Sequence, residues 1–146
     1  MKAVFWDRDG VLNYQLPTGS PKKLSELHLV PQTKLLLEIF RKLGYLNLVI
    51  TNQPDIARGK LKLYDLETMH LWLKWMLPVD DIFVCPHDNG ECDCRKPQPG
   101  MILQAIRKHN LTPSECLMIG NEDRDMEAGI RAGIKTFKYD TYTYPI

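Results

Sequence analysis

Apolar residues fall into five short blocks without clean alternation, at positions 3–6, 46–50, 82–84, 117–119 and 136–137, each bounded by turn-forming residues. Blocks this short and continuous suit strands buried on both faces, as in a parallel sheet. Between them the apolar spacing changes to three and four residues. It does so over 33–43, closed by Gly44, over 64–76, stopped by Pro78, over 100–109, and over 125–132, closed by Gly133. These are amphipathic helices with glycine or proline at their ends. Strand and helix alternate throughout, which predicts an α/β, three-layer Rossmann-like fold with one mostly parallel sheet and helices on both faces. Residues 13–30, carrying Pro17, Gly19, Pro21 and Lys22-Lys23, lack a period and read as a loop crossing the top of the sheet. Thr112-Pro113-Ser114-Glu115 has T-x-x-E spacing and predicts a capping box on one short helical turn. Trp72 and Trp75 could line an interface, but Leu, Met and Trp at helical spacing point to core.

The 146 residues suffice for one core and not for two ordinary domains, so a single domain over 1–146 is expected, with no inserted cap. A hydrophobic content of 44% and a charged content of 25% describe an ordinary globular chain. Nineteen Lys and Arg against eighteen Asp and Glu leave a formal charge of +1, without the basic footprint that holds nucleic acid or an acidic membrane. A small molecule is the expected partner. The apolar run after Met1-Lys2 spans four residues, too short for a signal peptide or a membrane span, and a cytoplasmic location is expected.

Ligands of an open parallel sheet bind beyond the carboxyl ends of its strands. The residues that follow each predicted strand are Asp7-Arg8-Asp9-Gly10, then Thr51-Asn52-Gln53, then Arg95-Lys96-Pro97 before the third helix, then Gly120-Asn121-Glu122-Asp123-Arg124-Asp125. Two aspartates at i and i+2 can face one cleft when a glycine lets the backbone turn, one attacking and the other moving a proton. Their charge repels a phosphate dianion, so a cation such as Mg²⁺ has to stand between them. Lys96 can neutralise the transferring group and Thr51 can donate to a phosphate oxygen. Each residue has an ordinary structural reading as well: a turn aspartate, a helix cap at Thr51-Asn52, a surface lysine, and a first-turn carboxylate at Asp125. Their shared placement at four strand ends is what selects the chemistry.

In that order and spacing, "FWDRDGVLN", "VITNQPDIARG", "CPHDNGECDCRKPQPGM" and "LMIGNEDRDMEAGIRAG" resemble the haloacid dehalogenase (HAD) superfamily of phosphotransferases. Within it they resemble the branch of heptose bisphosphate and histidinol phosphate phosphatases, which has no large cap. The resemblance implies a phosphomonoesterase acting on a small phosphorylated metabolite, with Asp7 as nucleophile and Asp9 as general acid/base. It further implies phosphate binding by Thr51 and Lys96 and substrate binding by Arg95; Asn52 joins them by its place at the strand end, and Arg58 could bind anionic substrate, although a surface salt bridge suits it equally. Catalytic Mg²⁺ would lie on Asp7, Asp9, Asn121 and Asp125.

Cys85, His87, Cys92 and Cys94 form C-x-H-x4-C-x-C, a Cys₃His set able to wrap a tetrahedral structural Zn²⁺. The halves are joined by turn residues Asp88-Asn89-Gly90-Glu91. A redox pair or free thiols are the alternatives, and a nucleic-acid finger is disfavoured by the neutral charge. Cys116 reads as buried filler. The fourth motif departs from the resembled pattern, with Asn121 in place of the usual metal-binding aspartate and Glu122 where heptose bisphosphate phosphatases commonly have lysine. Pro54-Asp55 replaces their Ser-Gly. These departures favour a monophosphate or a substrate with a cationic end, and admit a catalytically weakened relative that binds a phosphorylated ligand or partner.

Overall fold

The computed structural model describes residues 1–90 and 92–142. Five strands, β1 (Ala3–Trp6), β2 (Leu46–Asn52), β3 (Asp81–Cys85), β4 (Leu117–Gly120) and β5 (Lys135–Lys138), form one sheet in the order β3-β2-β1-β4-β5. Every pairing is parallel, with Phe5 opposite Leu48 on one side and Met118 on the other. Four helices connect them: α1 (Pro31–Lys42), α2 (Leu63–Met76), α3 (Gly100–His109) and α4 (Asp123–Arg131). The expected α/β layering holds, and no large cap is present among the described residues.

Successive strand residues point to opposite faces, and the core divides accordingly. Ala3, Phe5, Leu48 and Ile50 pack with Met101, Ile102 and Ala105 of α3 and Ala128 of α4. Val4, Trp6 and Val49 pack with Leu37 of α1 and Leu66, Met69 and Leu73 of α2. Each Val, Leu, Ile, Phe or Met among them contributes about 1.5–3 kcal/mol through burial, which is why the strands read as continuous apolar runs. The indole N–H of Trp6 donates to Asn47 Oδ1 (2.9 Å), so the one polar atom of that buried ring is satisfied.

Most element boundaries shift by one or two residues from the sequence reading, α1 for instance beginning at Pro31, and two of the shifts bear on the site. Strand β2 runs two residues further, to Asn52, because β3 continues to pair with it through Cys85. Thr112 makes no side-chain cap on the 3-10 turn Pro113–Glu115; the chain's capping box sits instead on α4, between Glu122 and Asp125. Helix α4 thus begins at Asp123, two residues earlier than expected. Trp72 packs against the core, but Trp75 is 86% exposed, since one turn further along α2 the helix face has rolled into solvent. Cys116 is buried, as expected.

The connection direction reverses between β1 and β4, which makes their carboxyl ends a topological switch point. The first and fourth motifs therefore start side by side. The loop after Asn13 passes over this end, held by a bridge from Asn13 to Leu29 and a short 3-10 turn at Leu24–Glu26.

Candidate active site

Asp7 leaves β1 with its backbone N–H bound to the carbonyl of Ile119 in β4 (3.0 Å). Gly10, at φ +84°, turns the chain, and a Cβ there would meet the Asn121 side chain at 2.6 Å. Gly120 is required for a similar reason: a Cβ would lie 2.4 Å from Asp125. Gly10 thus lets the first and fourth motifs close on each other, and Gly120 lets the fourth fold back onto its own Asp125.

Lys96 sits at the centre, 3% exposed, with its ammonium 2.7 Å from Asp7, 2.7 Å from Asp125 and 3.2 Å from the carbonyl of Ile50. Asn52 positions it by turning both ends of its amide onto the lysine's own peptide groups: Lys96 N–H donates to Oδ1 (3.0 Å) and Nδ2 donates to Lys96 O (3.1 Å). Asp125 accepts the backbone N–H groups of Asn121 and Glu122 at the start of α4 (3.2 and 3.1 Å). The turn that displays the fourth motif is thus locked by its last carboxylate.

Asp9 is held by more donors. Its Oδ1 accepts from Arg8 Nε (2.9 Å) and Asn13 Nδ2 (3.0 Å), and its Oδ2 from Gln53 Nε2 (3.1 Å). The other hydrogen of Gln53 goes to Thr51 Oγ1 (2.9 Å), leaving that hydroxyl's own proton to be donated elsewhere. Arg8, Asn13 and Gln53 carried no functional signal in sequence, since their roles depend on where the loop folds.

The two aspartates are set apart electrostatically. Burial, reinforced by Asp125 and Asp9 and opposed by Lys96, pushes the Asp7 carboxyl up to about 7. Burial also acts upward on Asp9, but the Arg8 guanidinium and the bonds from Asn13, Arg8 and Gln53 outweigh it and hold that carboxyl below its usual value. Asp7 and Asp125 raise the Lys96 ammonium above its ordinary value in spite of burial. With Asp7 ionised, the three carboxylates and the two cations Arg8 and Lys96 leave one negative charge uncompensated. Beside them the buried Asn121 Oδ1 has no hydrogen-bond partner, while its Nδ2 donates to Thr141 Oγ1 (2.9 Å). A free amide oxygen among carboxylates is a donor set for a hard, oxygen-seeking divalent cation, so these residues fit Mg²⁺.

The cavity at this end encloses roughly 220 Å³ and reaches from Asp7 and Asp9 past Asn52 to Arg58, Arg95 and Glu122. Arg58 is engaged bidentately by Asp88 (2.9 and 2.8 Å) and lies 3.6 Å from Asp55. It ties the cysteine loop to the segment after β2. Arg95 donates to Asn89 Oδ1 (2.9 Å) and to the carbonyl of His87 (3.4 Å). Glu122 pairs with Arg124 at 2.5 Å on the rim.

At the end of β3, Cys85, His87, Cys92 and Cys94 bring one ligand atom each to within 4.8 Å of the others, and no cysteine is in a disulfide. The sulfurs of Cys85 and Cys92 are 3.4 Å apart and His87 Nδ1 lies 3.4 Å from Cys94. Thiolate-type donors converging with an imidazole suit a tetrahedral metal ion, and this cluster could hold one. Glu91, the last of the four turn residues, lies outside the described residues.

Comparison with known proteins agrees with this geometry. Residues 93–143 match the HAD-hydrolase-like family model. The chain is 38% identical to the D-glycero-β-D-manno-heptose-1,7-bisphosphate 7-phosphatase of Pasteurella multocida, over 92% of this chain and 78% of that protein. It is 32% identical to the enzyme of the same name from Escherichia coli K12, over 92% and 76%. The crystal structure of D,D-heptose 1,7-bisphosphate phosphatase from B. bronchiseptica, complexed with magnesium and phosphate, superposes with a TM-score of 0.84 at 30% identity, over 93% of this chain and 79% of that one. With this likeness along nearly its full length, and the four motifs gathered at one end of the sheet, the chain belongs to the HAD-like phosphatases, the family of the heptose-1,7-bisphosphate 7-phosphatases.

Proposed function

We propose that the chain is a Mg²⁺-dependent phosphomonoester hydrolase that works through a phospho-aspartate on Asp7, on a small phosphorylated metabolite. The observation that carries this reading is Lys96, whose buried ammonium bridges Asp7 and Asp125 at 2.7 Å each. A Mg²⁺ ion held by Asp7, Asp9, Asp125 and the Asn121 amide oxygen would offset the repulsion between the carboxylates and the phosphate dianion. An Asp7 oxygen attacks phosphorus while the bond to the leaving oxygen breaks, and Asp9 supplies that oxygen's proton. Water then attacks the phospho-aspartate, Asp9 takes its proton, and phosphate departs with Asp7 restored. Lys96 neutralises the charge on Asp7 and the transferring group, and Thr51 donates its hydroxyl proton to a phosphate oxygen. In the arrangement seen, Asp9 is a carboxylate turned to Arg8, Asn13 and Gln53. That state serves the water step; to act as an acid it exchanges a partner for the leaving oxygen and takes up a proton. Zn²⁺ on Cys85, His87, Cys92 and Cys94 would fix the loop from which Arg95 and Lys96 emerge.

Heptose 1,7-bisphosphate, named for the relatives, is the first candidate substrate. Glu122 at the rim supports testing histidinol phosphate and sugar monophosphates beside it. Phosphate release from this panel, with Mg²⁺ titrated, is expected to single out one compound; silence across it, from folded protein, would sink the hydrolase. Asn121 favours the second reading, a weakened relative. Asn121→Asp is expected to lower the Mg²⁺ concentration at half-maximal activity at least tenfold, since unit charges 4 Å apart are worth up to about 4 kcal/mol at an effective dielectric of 20. A large rise in saturated turnover as well would show that the native protein is impaired; an unchanged Mg²⁺ requirement would remove Asn121 from the metal site.

A further inference from the structure

Arg8 stands between the two aspartates in sequence, yet its side chain is fully buried and does not line the cavity. A buried guanidinium left without partners costs several kcal/mol, so each contact it makes has a structural consequence. Its Nε donates to Asp9 Oδ1 at 2.9 Å, and Nη2 lies 2.9 Å from the same oxygen without hydrogen-bond alignment. On the far side, Nη1 is 3.1 Å from Nε2 of His70, which α2 delivers on its buried face with Leu66, Met69 and Leu73. Arginine can only donate, so His70 Nε2 is the acceptor and the ring proton is on Nδ1. Burial and the neighbouring Arg8 keep that imidazole neutral, with its pKa lowered to about 3. A leucine there would fill the space but leave Nη1 without an acceptor.

We propose that His70 is a positioning residue: by accepting from Arg8 it fixes the guanidinium that orients the Asp9 carboxylate toward the leaving oxygen. This rests on the phosphatase reading above. Asn13 and Gln53 also hold Asp9, but through neutral amides from flanking loop and strand-end positions. Arg8 alone among these donors is braced against a helix, so His70 couples the rigid layer of α2 to a loop carboxylate 61 positions away in sequence.

Proton donation to the leaving oxygen matters when that oxygen is a poor leaving group and hardly at all when it is a good one, and general acids contribute about 10²–10⁴-fold. The test compares kcat/KM, which reports phosphoryl transfer to Asp7, on an alkyl sugar phosphate and on p-nitrophenyl phosphate. His70→Leu is expected to lower the value for the sugar phosphate about tenfold or more and for the aryl phosphate by no more than about twofold. His70→Gln, whose side-chain oxygen can accept from Arg8, is expected to recover most of the loss. Parallel losses on both substrates, no loss on either, or a Gln variant no better than Leu would each overturn the proposal. If His70→Leu does not fold, His70→Met takes its place as a side chain of similar bulk without an oxygen or nitrogen acceptor. If neither compound is hydrolysed in an Asp7-dependent manner, the phosphatase reading has failed. The Arg8 Nε–H signal in NMR then decides the relay: unshifted and slowly exchanging in the leucine variant, it overturns it.

Discussion

Asp7→Asn is expected to abolish phosphate release, by on the order of 10⁴-fold or more, the scale of losing a covalent nucleophile. The amide keeps the shape of the side chain and a neutral contact to Lys96, which retains Asp125 as its ion-pair partner. The fold has no reason to suffer. Burial, together with Asp125 and Asp9 and against the pull of Lys96, pushes the Asp7 carboxyl up to about 7. Between the unfolded value of 3.8 and about 7 the native state therefore holds more protons than the unfolded chain. The stability linked to this group is complete below the lower value and lost as pH rises through the upper one, so wild type at pH 7.5 carries the cost of a buried charge. An asparagine does not. Without added Mg²⁺, the variant's melting temperature at pH 7.5 is expected to equal or exceed that of wild type. Unaltered hydrolysis would refute Asp7 as nucleophile, and a large drop in melting temperature would mean that the lost activity reports unfolding instead.

Removal of the zinc proposed for the cysteine loop is expected to have the largest effect on stability. Structural zinc is worth on the order of 10 kcal/mol in small peptides, and part of that in a larger fold corresponds to a fall in melting temperature of at least about 10 °C. Function should fall with it, because Lys96 follows Cys94 by two residues and its ammonium must lie within 2.7 Å of both carboxylates. Chelator-treated protein or Cys92→Ser, with zinc content measured directly, is expected to be cleaved by protease between residues 86 and 95 and to lose turnover. Cys116→Ser should keep the metal, since Cys116 donates to Thr112 O at 3.3 Å outside the cluster. Zinc-free protein that melts and turns over like wild type would eliminate the structural role.

Strand continuity, the helix-ending glycines and the order of the motifs were all readable along the chain, because burial on two faces and a 3.6-residue period leave local marks. The same holds for the Cys₃His set, whose ligands lie within ten residues of one another. Asn52 looked like a phosphate ligand by position, yet the fold turns both ends of its amide onto the backbone of Lys96. Arg8 and His70 carried no functional mark along the chain. Their pairing exists because β1, which ends two residues before Arg8, packs on α2, and Gln53 reaches Asp9 because β2 lies beside β1. Periodicity and spacing encode which residues face a common core or a common strand end. Which donor meets which acceptor across 40 to 90 positions is set by packing, where a few tenths of an ångström separate a hydrogen bond from a mere neighbour.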